Sequence, residues 1–142
     1  MPELKRSRLS VWIQVARIFS FTASLTPVCI AAALAFAYGE SSAWVLFPLV
    51  AACALLFHAG TNVVSEYFDF KKGVDTSYKF GSSRVLVDGL MPPGQVLIGG
   101  YALFAAGFLI GLILVAVRGW PVFILGVIGL LGGLFYSASP IG

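Results

Sequence analysis

The sequence is poor in charged residues and in cysteine. Only 11% of its 142 residues are Asp, Glu, Lys or Arg, whereas a soluble globular domain has about 25%. Because 59% of the residues are hydrophobic, a disordered chain is excluded as well. Two cysteines are too few for a disulfide scaffold, and no repeat of fixed short period is present.

The few charges leave four long stretches without any Asp, Glu, Lys or Arg, at 18–39, 41–65, 89–117 and 119–142. Each exceeds the roughly 20 apolar residues that cross a bilayer as a helix. We therefore predict an all-α membrane protein with about four transmembrane helices. The expected spans are 18–38, 43–65, 95–117 and 120–137, all within a single transmembrane region, 1–142.

The basic residues are distributed unevenly between the two predicted sides. One side would carry Arg118 alone, together with Glu40. The other would carry Lys5, Arg6, Arg8, Arg17, Lys71, Lys72, Lys79 and Arg84. The positive-inside rule then predicts a cytoplasmic N-terminus and a cytoplasmic loop at 66–94. We expect an integral protein of the plasma (inner) membrane, in which the net charge of +3 indicates topology and lipid headgroups rather than nucleic-acid binding.

Polar residues concentrate at the inner end of the second span. Asn62, Glu66 and Asp69 are three or four residues apart, so they share one face of a helix. Gly73 is a helix stop, and Asp75 follows it where the chain can fold back. The pattern therefore predicts two or three carboxylates and an amide at the membrane boundary.

Two interpretations of this carboxylate cluster are open. It can be a solvated helix end neutralised by Lys71 and Lys72. It can instead hold Mg²⁺, which prefers hard oxygen ligands and is commonly shared between carboxylates and substrate phosphates. The neighbouring basic residues would then bind phosphate oxygens, and these are Lys71, Lys72, Lys79 and Arg84. With an apolar helix bundle behind it, such a site suits a lipid diphosphate.

The segment Ser65-Glu-Tyr-Phe-Asp69-Phe-Lys-Lys-Gly73-Val-Asp75-Thr resembles the first aspartate-rich motif of the UbiA superfamily of intramembrane aromatic prenyltransferases. The similarity is greatest to the branch that prenylates 1,4-dihydroxy-2-naphthoate in menaquinone (quinone) biosynthesis. Further runs share the resemblance, which extends over nearly the whole chain: 16–27, 58–62, 84–85, 89–93 and 135–140.

The resemblance implies a fold, a reaction and a site. The fold would be the N-terminal part of a UbiA-like helical bundle. The reaction would be the Mg²⁺-dependent transfer of a polyprenyl group from a polyprenyl diphosphate to an aromatic acceptor. By position in the motif, Glu66, Asp69 and Asp75 would be the catalytic, metal-binding residues. The diphosphate-binding residues would be Asn62, Lys72 and Arg84.

Two features depart from the family pattern. Ser65-Glu66 stands where the family has Asn-Asp, and the family has about twice as many spans and a second acidic motif. We therefore expect the chain to need a missing C-terminal half or a partner subunit, and to be inactive alone. The alternative from another class is a non-catalytic four-helix membrane scaffold, or a transporter-like bundle, whose acidic loop binds a cation.

Two further features of the spans are interpreted separately. His58 lies within the second span, where an ionisable side chain is a functional candidate. A neutral histidine bonded to a neighbouring helix explains it equally well, so it is left out of the metal set. Gly107 and Gly111 are four residues apart in the third span, a spacing that predicts close helix packing.

Overall fold

The computed structural model describes residues 7–73 and 83–138. Within these ranges the chain forms helices and turns and no strand, which confirms the predicted all-α class. A short 3₁₀ turn, Ile18–Phe21, joins the first two of five α-helices. The helices are α1 (Arg8–Ala16), α2 (Thr22–Ala37), α3 (Ala43–Lys71), α4 (Pro93–Arg118) and α5 (Trp120–Ala138).

Helix α1 was not predicted from the sequence. The Ser7 hydroxyl caps its start by accepting a hydrogen bond from the Ser10 N–H, which satisfies one of the unpaired amides of the first turn. Val11 and Val15, one turn apart, are buried. The helix ends at Arg17, whose backbone is left-handed with φ 54°. The segment is thus an amphipathic helix that turns sharply into the first span.

Three segments are long and apolar enough to cross a membrane: Ile18–Ala37, Ala43–Lys71 and Pro93–Arg118. The fourth, Trp120–Tyr136, is equally apolar in character but shorter. The described chain thus contains the four predicted hydrophobic helices, three of them of full spanning length. Helix α3 extends to Lys71, so the first turns of the predicted loop 66–94 are helical.

Helix α3 is the centre of the arrangement and contacts the other four helices. Its approach to α4 is close because Gly60 and Gly100 lie between the two helices. A Cβ at Gly100 would come within 2.6 Å of the Val64 side chain. The predicted packing through Gly107 is also present, since a Cβ there would lie 3.3 Å from Cβ of Leu56.

The buried residues gather at the inner end of the helices. A hydrophobic cluster unites α1, α3, the segment before α4 and the start of α4 through Val11, Val15, Val63, Val85, Leu86 and Val96. Many large side chains of α2, α4 and α5 are instead exposed, as expected for surfaces that meet lipid. The best-packed part of the described chain therefore surrounds the polar end of α3.

Candidate active site

Glu66 is completely buried at the inner end of α3. Its Oε2 lies 3.3 Å from a guanidinium nitrogen of Arg17, and its Oε1 accepts a hydrogen bond of 3.5 Å from the backbone N–H of Leu86. A buried carboxylate requires such a partner, because desolvating an unpaired charge is costly. The Glu66 side chain therefore joins the α1–α2 junction to the segment before α4.

Asn62 holds the same junction one turn deeper along α3. Its Nδ2 donates to the backbone oxygen of Ala16 at 2.9 Å and to Oγ of Ser20 at 3.3 Å. Both amide hydrogens are thus used within the protein. The atom of the Asn62 side chain that is left for a ligand is the acceptor Oδ1, which suits a metal ion or a water better than a phosphate oxygen.

The segment 83–91 closes over this polar end. Gln14 donates from Nε2 to the backbone oxygen of Ser83 at 2.7 Å, and Val85 and Leu86 are buried. Between them Arg84 has a left-handed backbone with φ 59°. Its guanidinium is exposed and lies 3.1 Å from Oδ1 of Asp88, so the predicted diphosphate-binding arginine is placed at the surface of this segment.

Asp69 is half-buried one turn beyond Glu66. In the part of the chain that the structure describes, its carboxylate has no hydrogen-bond or ion-pair partner. Lys71 and Lys72 follow it and are exposed. Asp75, the third predicted metal ligand, lies outside the described residues, as does Lys79. Within residues 7–73 and 83–138 no group of three His, Cys, Asp or Glu side chains converges on one point.

The structure also brings together three polar residues that were not predicted to contact one another: Ser20, Ser24 and His58. The imidazole of His58 lies between two serines of the first span, 2.9 Å from Oγ of Ser20 and 2.6 Å from Oγ of Ser24. Its ring also meets Phe21, with centroids 5.4 Å apart. The sequence did contain a signal for this group. Ser20 and Ser24 are four residues apart, as are His58 and Asn62, so each pair shares one face of its helix.

The described part of the site contains two ion pairs and one carboxylate without a cationic partner. Arg17 balances Glu66 and Arg84 balances Asp88, whereas the Asp69 carboxylate is unpaired within the described ranges. An accessible carboxylate beside basic residues is a suitable place for a cation that also contacts phosphate oxygens. Glu66, by contrast, holds the surrounding elements together.

The chain spans less than half the length of the curated relatives it matches. It is 38% identical over 104 residues to "UbiA prenyltransferase domain-containing protein 1" of Danio rerio, covering 73% of this chain and 30% of that protein. The Homo sapiens protein of the same name is 38% identical over 106 residues, 72% of this chain and 30% of the relative. The "1,4-dihydroxy-2-naphthoate octaprenyltransferase" of Bacillus subtilis is 28% identical over 137 residues, 96% of this chain and 44% of the relative.

No solved structure matches the chain significantly. The UbiA prenyltransferase family matches residues 24–141, which include most of α2 and all of α3, α4 and α5. This match extends over most of the chain, and the described helices agree with the all-helical bundle that the resemblance implied. The chain therefore belongs to the UbiA prenyltransferase family.

Proposed function

We propose that this chain forms the diphosphate-binding part of an enzyme that transfers a polyprenyl group from a polyprenyl diphosphate to an aromatic acceptor. The observation that carries the proposal is the family match over residues 24–141, combined with the unpaired Asp69 carboxylate at the inner end of α3. We further propose an acceptor like 1,4-dihydroxy-2-naphthoate and a role in menaquinone biosynthesis. The name of the Bacillus subtilis relative supports this choice.

The proposed metal is Mg²⁺, and the donor set suits it. Asp69 provides hard oxygen ligands without a competing partner in the described chain. Glu66 is completely buried and has two contacts, so its proposed role as a ligand requires these contacts to open and admit the ion. Asp75 completes the proposed set. When bound, Mg²⁺ would neutralise charge that develops on the diphosphate leaving group.

The remaining proposed residues act on the diphosphate. Lys72 and Arg84 would bind its oxygens, Lys72 as a point charge and Arg84 through its planar fork. To do so Arg84 would exchange its exposed contact with Asp88 for the ligand, which costs little because exposed ion pairs contribute about 0–1 kcal/mol. Asn62 would contribute through Oδ1, directly to the cation or through a water molecule.

The partners and location of the enzyme are part of the same proposal. The polyprenyl tail would lie among the apolar helices in the bilayer, and the diphosphate at the cytoplasmic boundary of the plasma (inner) membrane. The rest of the helix bundle would come from a C-terminal half or a partner subunit. This arrangement is supported by the relatives, of which the chain covers 30–44%.

Asp69→Asn tests the site in membranes that contain the native protein. We expect the variant to lose prenyl transfer to 1,4-dihydroxy-2-naphthoate, measured with a radiolabelled polyprenyl diphosphate and Mg²⁺, because an amide is a poor replacement for an anionic ligand. The matched control is Glu40→Gln, which removes an exposed carboxylate from the opposite end of the spans. It should retain turnover, and both variants should insert into the membrane normally.

Turnover by Asp69→Asn at the level of the Glu40→Gln control would contradict the assigned site. Cation binding that depends on Asp69 but occurs without any prenyl transfer in the unmodified protein would instead support the non-catalytic scaffold or transporter-like bundle. The two measurements together therefore separate an enzyme from a cation-binding membrane protein.

A further inference from the structure

The His58 network has a defined direction of hydrogen bonding. The Ser20 hydroxyl donates its one proton to the backbone oxygen of Arg17 at 2.8 Å, because a carbonyl can only accept. Towards His58, Oγ of Ser20 is then an acceptor, so Nε2 of the imidazole carries the proton. In the neutral ring Nδ1 is the acceptor, and the Ser24 hydroxyl donates to it.

This direction decides what Ser24 can offer to a ligand. A serine hydroxyl has one donor hydrogen and two acceptor lone pairs. Since the hydrogen points to Nδ1 of His58, Oγ of Ser24 remains able to accept. His58 and Ser20 thus make Ser24 an acceptor for a hydroxyl or amine hydrogen.

Ser24 and His58 line a cavity of about 520 Å³ between α2, α3 and α5 that is widely open to the surface of the described chain. This volume lies within the roughly 300–1,000 Å³ typical of small-molecule pockets. The aromatic rings of Phe57 and Tyr136 also line the cavity, as does Asn62. Aromatic walls beside acceptor oxygens, Oγ of Ser24 among them, suit an aromatic molecule that carries a hydroxyl group.

We propose that this cavity binds the aromatic acceptor of the reaction, with a ring hydroxyl donating to Oγ of Ser24. His58 is then a positioning residue that acts through Ser24. The inference rests on the proposed function and deepens it by naming the feature of the acceptor that is recognised. His58 precedes Asp69 by eleven residues, which is about 16 Å along a helix, enough to place an aromatic ring between Ser24 and a diphosphate held near Asp69.

The test measures binding by the 142-residue chain in lipid nanodiscs, without Mg²⁺ or prenyl donor. The probes are 1-naphthol and 1-methoxynaphthalene, in which a methyl group replaces the donor hydrogen. Because the chain has one histidine, ¹⁵N-histidine labelling reports His58 alone. We expect the free protein to show protonated Nε2 and unprotonated Nδ1. We also expect 1-naphthol to shift the Nδ1 resonance and 1-methoxynaphthalene to leave it in place.

Ser24→Ala should weaken 1-naphthol binding about tenfold, the effect of losing one hydrogen bond, and should leave 1-methoxynaphthalene binding unchanged. The matched control is Thr26→Ala, an exposed residue of the same helix whose hydroxyl bonds to the Thr22 carbonyl. It should bind both probes as the unmodified chain does.

A proton on Nδ1 in the free protein, an equal response to both probes, or unchanged 1-naphthol affinity in Ser24→Ala would overturn the proposal. The NMR comparison needs no variant, so it decides the matter even if Ser24→Ala does not fold. Because no prenyl donor is present, this result does not depend on whether Asp69→Asn retains prenyl transfer, so the two proposals can fail separately.

Discussion

Arg17 and Glu66 form a charge pair across 49 residues of sequence. The Glu66 side chain is 0% exposed and that of Arg17 is 20% exposed. Removing one partner from such a pair is more damaging than removing both, since it leaves a buried charge uncompensated. The pair therefore couples the end of α1 to α3 more strongly than a surface ion pair would.

We expect Arg17→Gln to lower the free energy of unfolding by about 3 kcal/mol, the lower end for a broken buried pair. The measurement is an SDS titration of the purified chain in mixed micelles. Arg8→Gln is the matched control, because Arg8 is an exposed arginine at the opposite end of α1, and it should change the free energy by less than about 0.5 kcal/mol.

The double variant Arg17→Gln/Glu66→Gln should lose less stability than the sum of the two single variants, because neither charge is then left alone. Equal losses in Arg17→Gln and Arg8→Gln, or strict additivity in the double variant, would show that the pair does not stabilise the fold.

For single residues, the sequence predicted which polar side chains share one helix. Asn62, Glu66 and Asp69 lie on α3 as their spacing indicated. Their partners were not predictable, because Arg17 and Leu86 reach Glu66 only through contacts between distant segments. The assignment of Glu66, Asp69 and Asp75 to a metal stays a prediction.

Close packing of α3 and α4 depends on glycine. A Cβ at Gly100 would lie 2.6 Å from Cγ2 of Val64 and 3.2 Å from its backbone nitrogen, and the backbone cannot give way without moving the helix. The small-residue spacing of Gly107 and Gly111 identified the correct helix. Gly100, two turns before Gly107, is the tighter contact.

We expect Gly100→Ala to destabilise the chain by about 1–3 kcal/mol through overpacking, measured by the same SDS titration. Gly126→Ala is the matched control, since a Cβ there would meet nothing within 4 Å, and alanine should be neutral or stabilising in a helix. A Gly100→Ala variant as stable as Gly126→Ala would contradict the close approach of the two helices.

Helix α1 is an element that the hydrophobicity pattern of the sequence did not predict. Six of its nine residues are apolar, but the segment is too short to cross a membrane, and no helix was predicted there. In the structure Val11 and Val15 are buried against the inner cluster. Short helices are marginal in isolation, and this one is stabilised by its tertiary contacts.

The distribution of basic residues predicts an orientation for the whole molecule, and labelling tests it. In a chain whose Cys29 and Cys53 are replaced by alanine, we expect an impermeant maleimide to label Ser41→Cys in right-side-out vesicles. Lys72→Cys should react only after permeabilisation, because the positive-inside rule places it in the cytoplasm. The reverse pattern would contradict the proposed topology.

The completeness of the catalytic unit is a second property of the whole molecule. We expect the purified 142-residue chain to show no prenyl transfer with a polyprenyl diphosphate, 1,4-dihydroxy-2-naphthoate and Mg²⁺, since it spans 30–44% of its relatives. Native membranes assayed in parallel are the positive control. Detectable product from the chain alone would refute this expectation. The intact mass of the native protein distinguishes two sources for the rest of the bundle. A mass near 15.1 kDa would indicate a partner subunit, and a mass about twice as large would indicate the same chain.

Composition and the placement of charges determined the class of this protein, because the bilayer requires long uncharged helices whatever their partners. The run at 65–76 resembles a motif of the family, and this resemblance was visible without the fold because such a motif is a local property of the chain. Tertiary structure alone decided that Glu66 is buried against Arg17, that α1 packs on the inner cluster, and that His58 is held between Ser20 and Ser24. These contacts join segments dozens of residues apart, and a linear pattern carries no information about which of its polar residues will face one another.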